Sequence, residues 1–335
     1  MAARRCLEEV VMPSTIVDLD DLEMCAAQGE RVVWQGREAL RLDSGLALVP
    51  TYHLLNPVIE VLVGVEGPAY PGVAFRVADV LNYELAYAVP HSSGQWDALQ
   101  YDPVWRGSNS WQLHYGPGYQ GSAQIPIGEW FRLRVAVDEA RAAISVEDQP
   151  PLVVEALARP MISGLCGLWT YRPAYFSGLR ISTGESRETE RGVVPTPPPG
   201  AVSAWFLEDY GALRCEANGA LNICRELPIS VGTARLHRRF VMPRDDILTL
   251  EFGFSDTLAL ELDGELIFDG ENTFTGMANR AARGYAELGT HAVKRPVAAG
   301  VHRLTAKVGV KESFGWGLVL TAVADDLEWL PIELG

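Results

Sequence analysis

The chain has 335 residues, 48% hydrophobic and 21% charged, enough apolar material to bury the cores of two ordinary domains. Its formal net charge is −15, which argues against nucleic acid and anionic membranes as partners, because both select a basic footprint. No apolar run approaches the length of a membrane-spanning helix.

From the N-terminus, "MAARRCLEEVVMPSTIVDLDDLEM" starts with basic residues but has no apolar core of a secretory leader behind them, so a cytoplasmic protein is expected. The acidic "VDLDDLE", Val17 to Glu23, lacks the spacing of a calcium loop. No cofactor is expected, although a structural calcium ion is compatible with a chain of this kind. Period-2 alternation then recurs in "VIEVLVGV" (58–65), "GVAFRVADV" (72–80), "NYELAYAV" (82–89) and "WFRLRVAV" (130–137), the signature of half-buried strands. The stretch "RGVVPTPPPGA" (191–201) places four prolines in the five positions from Pro195 and reads as an extended linker. Beyond it come "ILTLEFGF" (247–254), "TLALELDGELIF" (257–268), "HRLTAKVGV" (302–310) and "WGLVLTAV" (316–323). Amphipathic helical runs are nearly absent. The chain therefore reads as all-β, with two β-sandwich domains, 1–190 and 201–335, joined by the Pro-rich linker 191–200.

Within the second half, "ELDGE" (261–265) superficially matches a carboxylate cluster of glycan hydrolases. The alternation of Leu258, Leu260 and Leu262 and the dipeptide Asp263-Gly264 favour a two-residue hairpin instead. The five cysteines, Cys6, Cys25, Cys166, Cys215 and Cys224, form no CxxC pair, so zinc is not expected and free thiols are. Cys215 and Cys224 are the pair to watch for a bridge. Basic charge is almost all arginine, with Lys294, Lys307 and Lys311 the only lysines.

The segment His91–Gln120 holds three Trp, three Tyr, two His and no Lys or Glu. Reading "SWQLHY" (110–115) as a strand puts Trp111, Leu113 and Tyr115 in the core and Gln112 and His114 outside it. The same rule puts Tyr83, Leu85, Tyr87 and Val89 inside and Glu84, Ala86 and Ala88 outside. The expected outward polar set is Glu60, Arg76, Glu84, Gln100, Gln112, His114, Arg132 and Arg134. Such residues satisfy sugar hydroxyls, and Trp96 and Trp105, in connecting loops, supply ring platforms. His91 and Asp97 bound a turn that hydrogen bonds are expected to pin, with acid–base work as the rival role. Candidate ligand-binding residues are thus Arg76, Glu84, His91, Trp96, Asp97, Gln100, Trp105, Gln112, His114 and Arg132. In the second half, Asn222, Arg225, Asp256, Arg280 and Trp316 lie near turn signals, with Trp316 expected between the sheets.

The pieces "GVAFRV", "NYELAY", "PHSSGQWDALQY", "WQLHYGPGY", "GEWFRLRVAV" and "GLWTYRPAYFSGLRIS" together resemble the concanavalin A-like lectin/glucanase superfamily, in its bacterial laminin-G-like branch, over roughly residues 30–183. "FGFSDTLALELDGELIFDGENTF" and "FGWG" are similar to galactose-binding-like jelly rolls. The resemblance implies two jelly-roll sandwiches and a carbohydrate or glycosylated small molecule as ligand, bound mainly by the first. Such folds also hold enzymes. The alternative is an intracellular enzyme on the same face, a glycosidase or sugar lyase or a biosynthetic cyclase, using Glu60, Glu84 and His114. Oligomeric state is not legible in the sequence.

Overall fold

The computed structural model describes residues 12–25, 28–183, 190–277 and 279–332. Cys6 lies outside the described residues. Among them the regular structure is strands and short 3-10 turns, with no α-helix, so the protein is all-β. No helix there is long and apolar enough to cross a membrane.

The chain divides into two compact units, residues 1–103 with 116–194, and residues 104–115 with 195–335. The second unit therefore takes in a short excursion, 104–115, from the middle of the first half. That excursion is not part of the sequence-based division at the Pro-rich stretch. Period and turn signals report local conformation and do not say which core a loop joins.

In the first unit two antiparallel sheets enclose one core. One sheet runs in the order Leu152–Val154, Arg141–Val146, Phe131–Asp138, Pro57–Gly64, Ala174–Thr183, Arg37–Asp43 and Gln28–Trp34, with Thr15–Ile16 also paired to Ala174–Thr183. The other runs Gln120–Gly121, Leu99–Tyr101, Asn82–Ala88, Tyr70–Asp79, Gly164–Tyr171, Gly45–Leu54 and Glu23–Cys25. Ile59, Val61 and Val63 of the first sheet meet Val73, Phe75, Ala86 and Leu168 of the second. Alternation in the strand sequences produces that layer, because residues two apart share a face.

The second unit is also a sandwich. One sheet contains Gly211–Arg214, Ala204–Leu207, Thr233–Met242, Gly300–Gly309, Asp256–Leu262 and Glu265–Asn272, and Glu328–Trp329 pairs with Thr233–Met242. The facing sheet contains Leu221–Asn222, Gly317–Val323, Asp246–Phe254 and His291–Val297. Leu236, Phe240, Leu258 and Leu304 pack against Leu250, Phe252 and Leu318. Trp316 is fully buried in this core and donates its Nε1–H to the Val308 carbonyl at 3.0 Å. The Asp263-Gly264 dipeptide is a tight turn, with φ of 53° and 88° and Leu262 paired to Glu265. Both positive φ angles match the turn that such a dipeptide favours, and the "ELDGE" acids share no continuous strand face. Cys215 and Cys224 are both free thiols, as are Cys25 and Cys166.

Two expectations of sidedness fail. In Asn82–Ala88 the residues that enter the core are Ala86 and Ala88, and Glu84 shares their parity. Tyr83, Leu85 and Tyr87 take the opposite face. All six residues after Asn82 are buried, so both parities carry apolar residues and alternation alone cannot choose between them. In 110–115 there is no strand at all. The N–H groups of Leu113 and His114 both donate to the Ser110 carbonyl, at 2.9 and 3.0 Å, which makes the segment a tight turn.

Glu84 is fully buried, and its carboxylate accepts the Tyr101 hydroxyl at 2.6 Å and the Arg159 main-chain N–H at 3.0 Å. Burial pushes its pKa up, while those two donors pull it down. Glu84→Ala strands both donors in the core, so unfolding free energy is expected to fall by about 2–4 kcal/mol. Urea denaturation measures it, and a loss under about 0.5 kcal/mol rules out the anchoring role.

Candidate functional site

The face of the Asn82–Ala88 sheet that turns away from the core carries the most coherent set of side chains in the first unit. Strand register lines up one row across it. Leu46 pairs with Trp169, Trp169 with Gly72, Gly72 with Tyr87, Tyr87 with Gln100, and Gln100 with Gln120. Gly72 is the break in the row. A Cβ there would sit 2.4 Å from the Ala86 carbonyl oxygen and 2.6 Å from the Tyr87 Cβ, so only glycine fits. Its missing side chain lets the Trp169 and Tyr87 rings approach to 5.7 Å across the intervening strand.

One step along the strands, Tyr171 pairs with Tyr70, and their rings lie 5.8 Å apart. Tyr70 also meets the His91 ring edge-on at 4.9 Å and the Tyr87 ring at 6.2 Å. These spacings are those of favourable aromatic pairs. Tyr171 is 55% exposed, and Tyr70, His91 and Trp169 are half-buried. The Arg172 guanidinium lies 5.9 Å from the Tyr171 ring centre. The amide end of the row is buried and internally bonded. Gln100 Oε1 accepts the Tyr87 hydroxyl at 3.1 Å and the Gln120 amide at 3.3 Å. Gln100 Nε2 donates to the Asp97 carbonyl at 3.3 Å, and Gln120 Oε1 accepts the Gly116 N–H at 2.7 Å. The amides thus hold Tyr87 and the loop after His91 in place beside the ring cluster.

The structure scatters the residues expected from sequence. His91, Asp97 and Gln100 do lie together at this face, and Trp96, 39% exposed, is on the same turn. Arg76 and Glu84, expected outside the core, are fully buried. Arg76 sits at a strand irregularity with φ of 47°. There its guanidinium donates Nε–H to the Leu55 carbonyl and Nη2–H to the Glu139 carbonyl, main-chain acceptors for part of the buried group. Glu60 and Arg132 belong to the other sheet. Glu60 is cross-strand to Arg134 and to Arg180, and Arg132 pairs with Asp148 at 2.5 Å, so both serve an outer charge ladder. Arg134 is half-buried on that same side.

Trp105, Gln112 and His114 belong to the second unit. The Arg225 guanidinium covers the Trp105 ring at 5.0 Å and pairs with Glu216 at 3.1 Å. Gln112, expected to line a cleft, is fully buried, and its amide donates to the Arg283 carbonyl and to Glu312 at 3.1 and 3.2 Å. His114, likewise expected outside, is buried, with Nδ1 3.2 Å from the Ser110 carbonyl. Burial holds its imidazole down to about 4, and Arg225 adds to the lowering. Trp111 is half-buried among Phe274, Tyr285 and Phe314. Asn222 caps the turn at Cys224 N. Asp256 accepts the N–H groups of Lys311 and Glu312 at 2.7 and 3.1 Å, and Arg280 pairs with Glu287 at 3.0 Å.

Sequence reasoning missed Tyr70, Gly72, Trp169 and Tyr171. Their signal was present in "GLCGLWTY", where Trp169 and Tyr171 share the parity opposite to Cys166 and Leu168. Among the described residues no group of three or more His, Cys, Asp or Glu is placed to hold a metal ion.

Comparison with family models finds no match, and comparison with curated protein sequences finds none either. Solved structures of similar form do exist. One is a carbohydrate binding module from Bacillus subtilis, at a TM-score of 0.36 and 15% identity, covering 52% of this chain and 98% of that one. A second is a Bacillus subtilis protein of unknown function with a galectin-like fold, at 0.38 and 12%, covering 50% and 92%. A third is sheep galectin-11 in complex with glycerol, at 0.30 and 11%, covering 42% and 97%.

The depressed imidazole of His114 makes stability depend on pH in a stated direction. A histidine held neutral in the fold contributes stability that is present above its ordinary value near 6.5 and is lost as pH falls towards 4. The loss is about 3 kcal/mol for a shift of this size. Between pH 7 and pH 4 the wild type is expected to lose about that much more than His114→Gln, measured by denaturant midpoints. Parallel pH profiles for the two proteins rule out a buried neutral imidazole.

Proposed function

We propose that the first unit is a carbohydrate-binding module whose ligand lies on the rings of Tyr70, His91, Trp169 and Tyr171. The observation that supports this is the row across the sheet, in which Gly72 lets two rings close over one strand while Tyr171 and Tyr70 extend the surface to solvent. A saccharide has an apolar C–H face and a rim of hydroxyls. Aromatic faces take the first, and amide, imidazole and guanidinium groups take the second. His91 meets the Tyr70 ring at a near-right angle and Arg172 lies over the Tyr171 ring, and these two groups would serve that rim. The ligand class, a neutral sugar or a glycosylated small molecule, follows from that pairing of apolar and hydrogen-bonding groups.

Most glycoside hydrolases use two carboxylates flanking one bond. Glu60 and Glu84 lie in different sheets, and Glu84 is sealed beneath Tyr101. Binding is therefore the reading carried forward. It is also the reading under which the internal bonding of Gln100 and Gln120 makes sense, as rigid support for the rings.

Titration calorimetry against a panel of mono- and oligosaccharides tests it, first in the wild type and then in Tyr171→Ala and Trp169→Ala. Each substitution is expected to weaken binding by about 10- to 100-fold, the range of a lost stacking partner at a hot spot. Tyr171→Ala leaves stability nearly unchanged, since the ring is mostly exposed. No saccharide binding by the wild type, or unaltered affinity in both variants, rejects the assignment.

A further inference from the structure

Residues 104–115 belong to the second unit, although the chain on both sides of them belongs to the first. Among the described residues, neither sheet of the second unit draws a strand from this segment. Each sheet is continuous without it, and the segment is held as a strap laid over loops. Trp105 anchors its start on the core of the unit, under the Arg225 guanidinium at 5.0 Å.

Further along, the strap is held in the way a groove holds a peptide. The main chain of Gln112 is bonded from two sides. Its N–H donates to the Phe314 carbonyl, and its carbonyl accepts the Ala286 N–H, both at 3.0 Å. Its side chain is fully buried, and Nε2 donates to the Arg283 carbonyl at 3.1 Å and to Glu312 at 3.2 Å. Glu312 is itself aimed, since its N–H donates to Asp256 at 3.1 Å and its carboxylate accepts the Phe274 N–H at 2.9 Å. Leu113 is fully buried with Ala220 and Ala286, and its carbonyl accepts the Asn218 amide N–H at 2.8 Å. Trp111 stands edge-on to Phe274 and Tyr285, with ring centres 6.1 and 5.6 Å away. Two glycines make the room. A Cβ at Gly315 would lie 3.1 Å from Leu113 Cγ, and one at Gly284 would lie 2.6 Å from Gln112 Nε2. Main-chain bonds give such a groove affinity, and separate side-chain pockets give it specificity. The hold is not perfect. Gln112 Oε1 is buried and meets no donor, a cost that is relieved when the segment leaves.

We propose that loops 218–220, 283–287 and 312–317 of the second unit form a peptide-recognition groove, which this chain fills in cis with its own residues 111–115. The partner that fits it is a short peptide of the form aromatic-Gln-Leu-x-aromatic. The strap is an autoinhibitory occupant, and an outside peptide enters when the strap swings out. This groove lies within the second unit and stands whether or not the rings of the first bind sugar.

The test uses the full chain and a fluorescein-labelled peptide with the sequence of residues 108–115, SNSWQLHY. The double variant Gln112→Ser with Leu113→Ser empties the two deepest pockets and keeps Trp105 as anchor. Fluorescence polarisation is expected to show saturable binding of the peptide to this variant. Binding to the wild type is expected to be at least about tenfold weaker, because the tethered strap competes at a high effective concentration. A peptide with Gln112→Ala is expected to bind the variant at least about tenfold more weakly than the parent peptide. Hydrogen exchange of the wild type needs no variant. The N–H groups of Gln112 and Ala286 are expected to exchange together, at least about tenfold faster than those of the strand Asp246–Phe254. Four results overturn the assignment: a folded double variant that binds no peptide, a wild type that binds it as tightly as the variant, a peptide indifferent to the loss of its Gln, or strap amides that exchange only with global unfolding.

Discussion

The contact between Glu84, Tyr101 and the Arg159 N–H decides which way the Asn82–Ala88 sheet faces. A carboxylate is tolerated in an apolar core only where donors are fixed to meet it. Tyr101 and the Arg159 main chain supply them, and the Tyr101 hydroxyl itself accepts the Ala158 N–H at 2.7 Å. With Glu84 held inward, the period of two sends Ala86 and Ala88 inward and Tyr83, Leu85 and Tyr87 outward along the whole strand. The small alanines leave room above them for Tyr101 and Tyr119, whose rings stack 6.0 Å apart in the same core. One buried acid therefore goes with Tyr83 and Tyr87 on the face away from the core.

Rigidity of that face follows from how its polar groups are employed. Gln100 and Gln120 spend their amides on Tyr87, on the Asp97 carbonyl and on Gly116. A side chain so held has little conformational freedom left to lose. Gly72 contributes by absence, since any Cβ would collide with main chain that cannot move. At the strand irregularity the Arg76 guanidinium is held by hydrogen bonds to the Leu55 and Glu139 carbonyls.

The second unit shows what an uneven charge distribution does on a sheet. On its outer face the cross-strand cations Arg235 and Lys307 are bridged by Glu261. Its aromatic cluster is built partly by residues 104–115, whose Tyr115 hydroxyl donates to the Ala286 carbonyl at 3.0 Å and whose ring lies 5.4 Å below the Arg280 guanidinium. Much of the aromatic richness of His91–Gln120 is thus spent on a core and a loop of a different unit from the strands that flank it.

Strand positions were legible in the sequence because side-chain alternation and turn residues are local properties. The expected strands 58–65, 72–80, 82–89, 130–137, 247–254, 302–310 and 316–323 all have counterparts within a few residues, and Asp263-Gly264 turns as its φ preferences require. Sidedness was legible only where one parity is polar, as in Ile59, Val61 and Val63 against Glu60. It was not legible in Asn82–Ala88, where both faces are apolar and the choice rests on Tyr101 and Arg159, 17 and 75 residues away in sequence. Nor could "SWQLHY" announce itself as a turn, because its conformation is held by Ser110 and by the Phe314 carbonyl that accepts the Gln112 N–H at 3.0 Å. Local chemistry set the elements; the faces they show, and hence the candidate site, were set by contacts between residues distant in the chain, which no local pattern encodes.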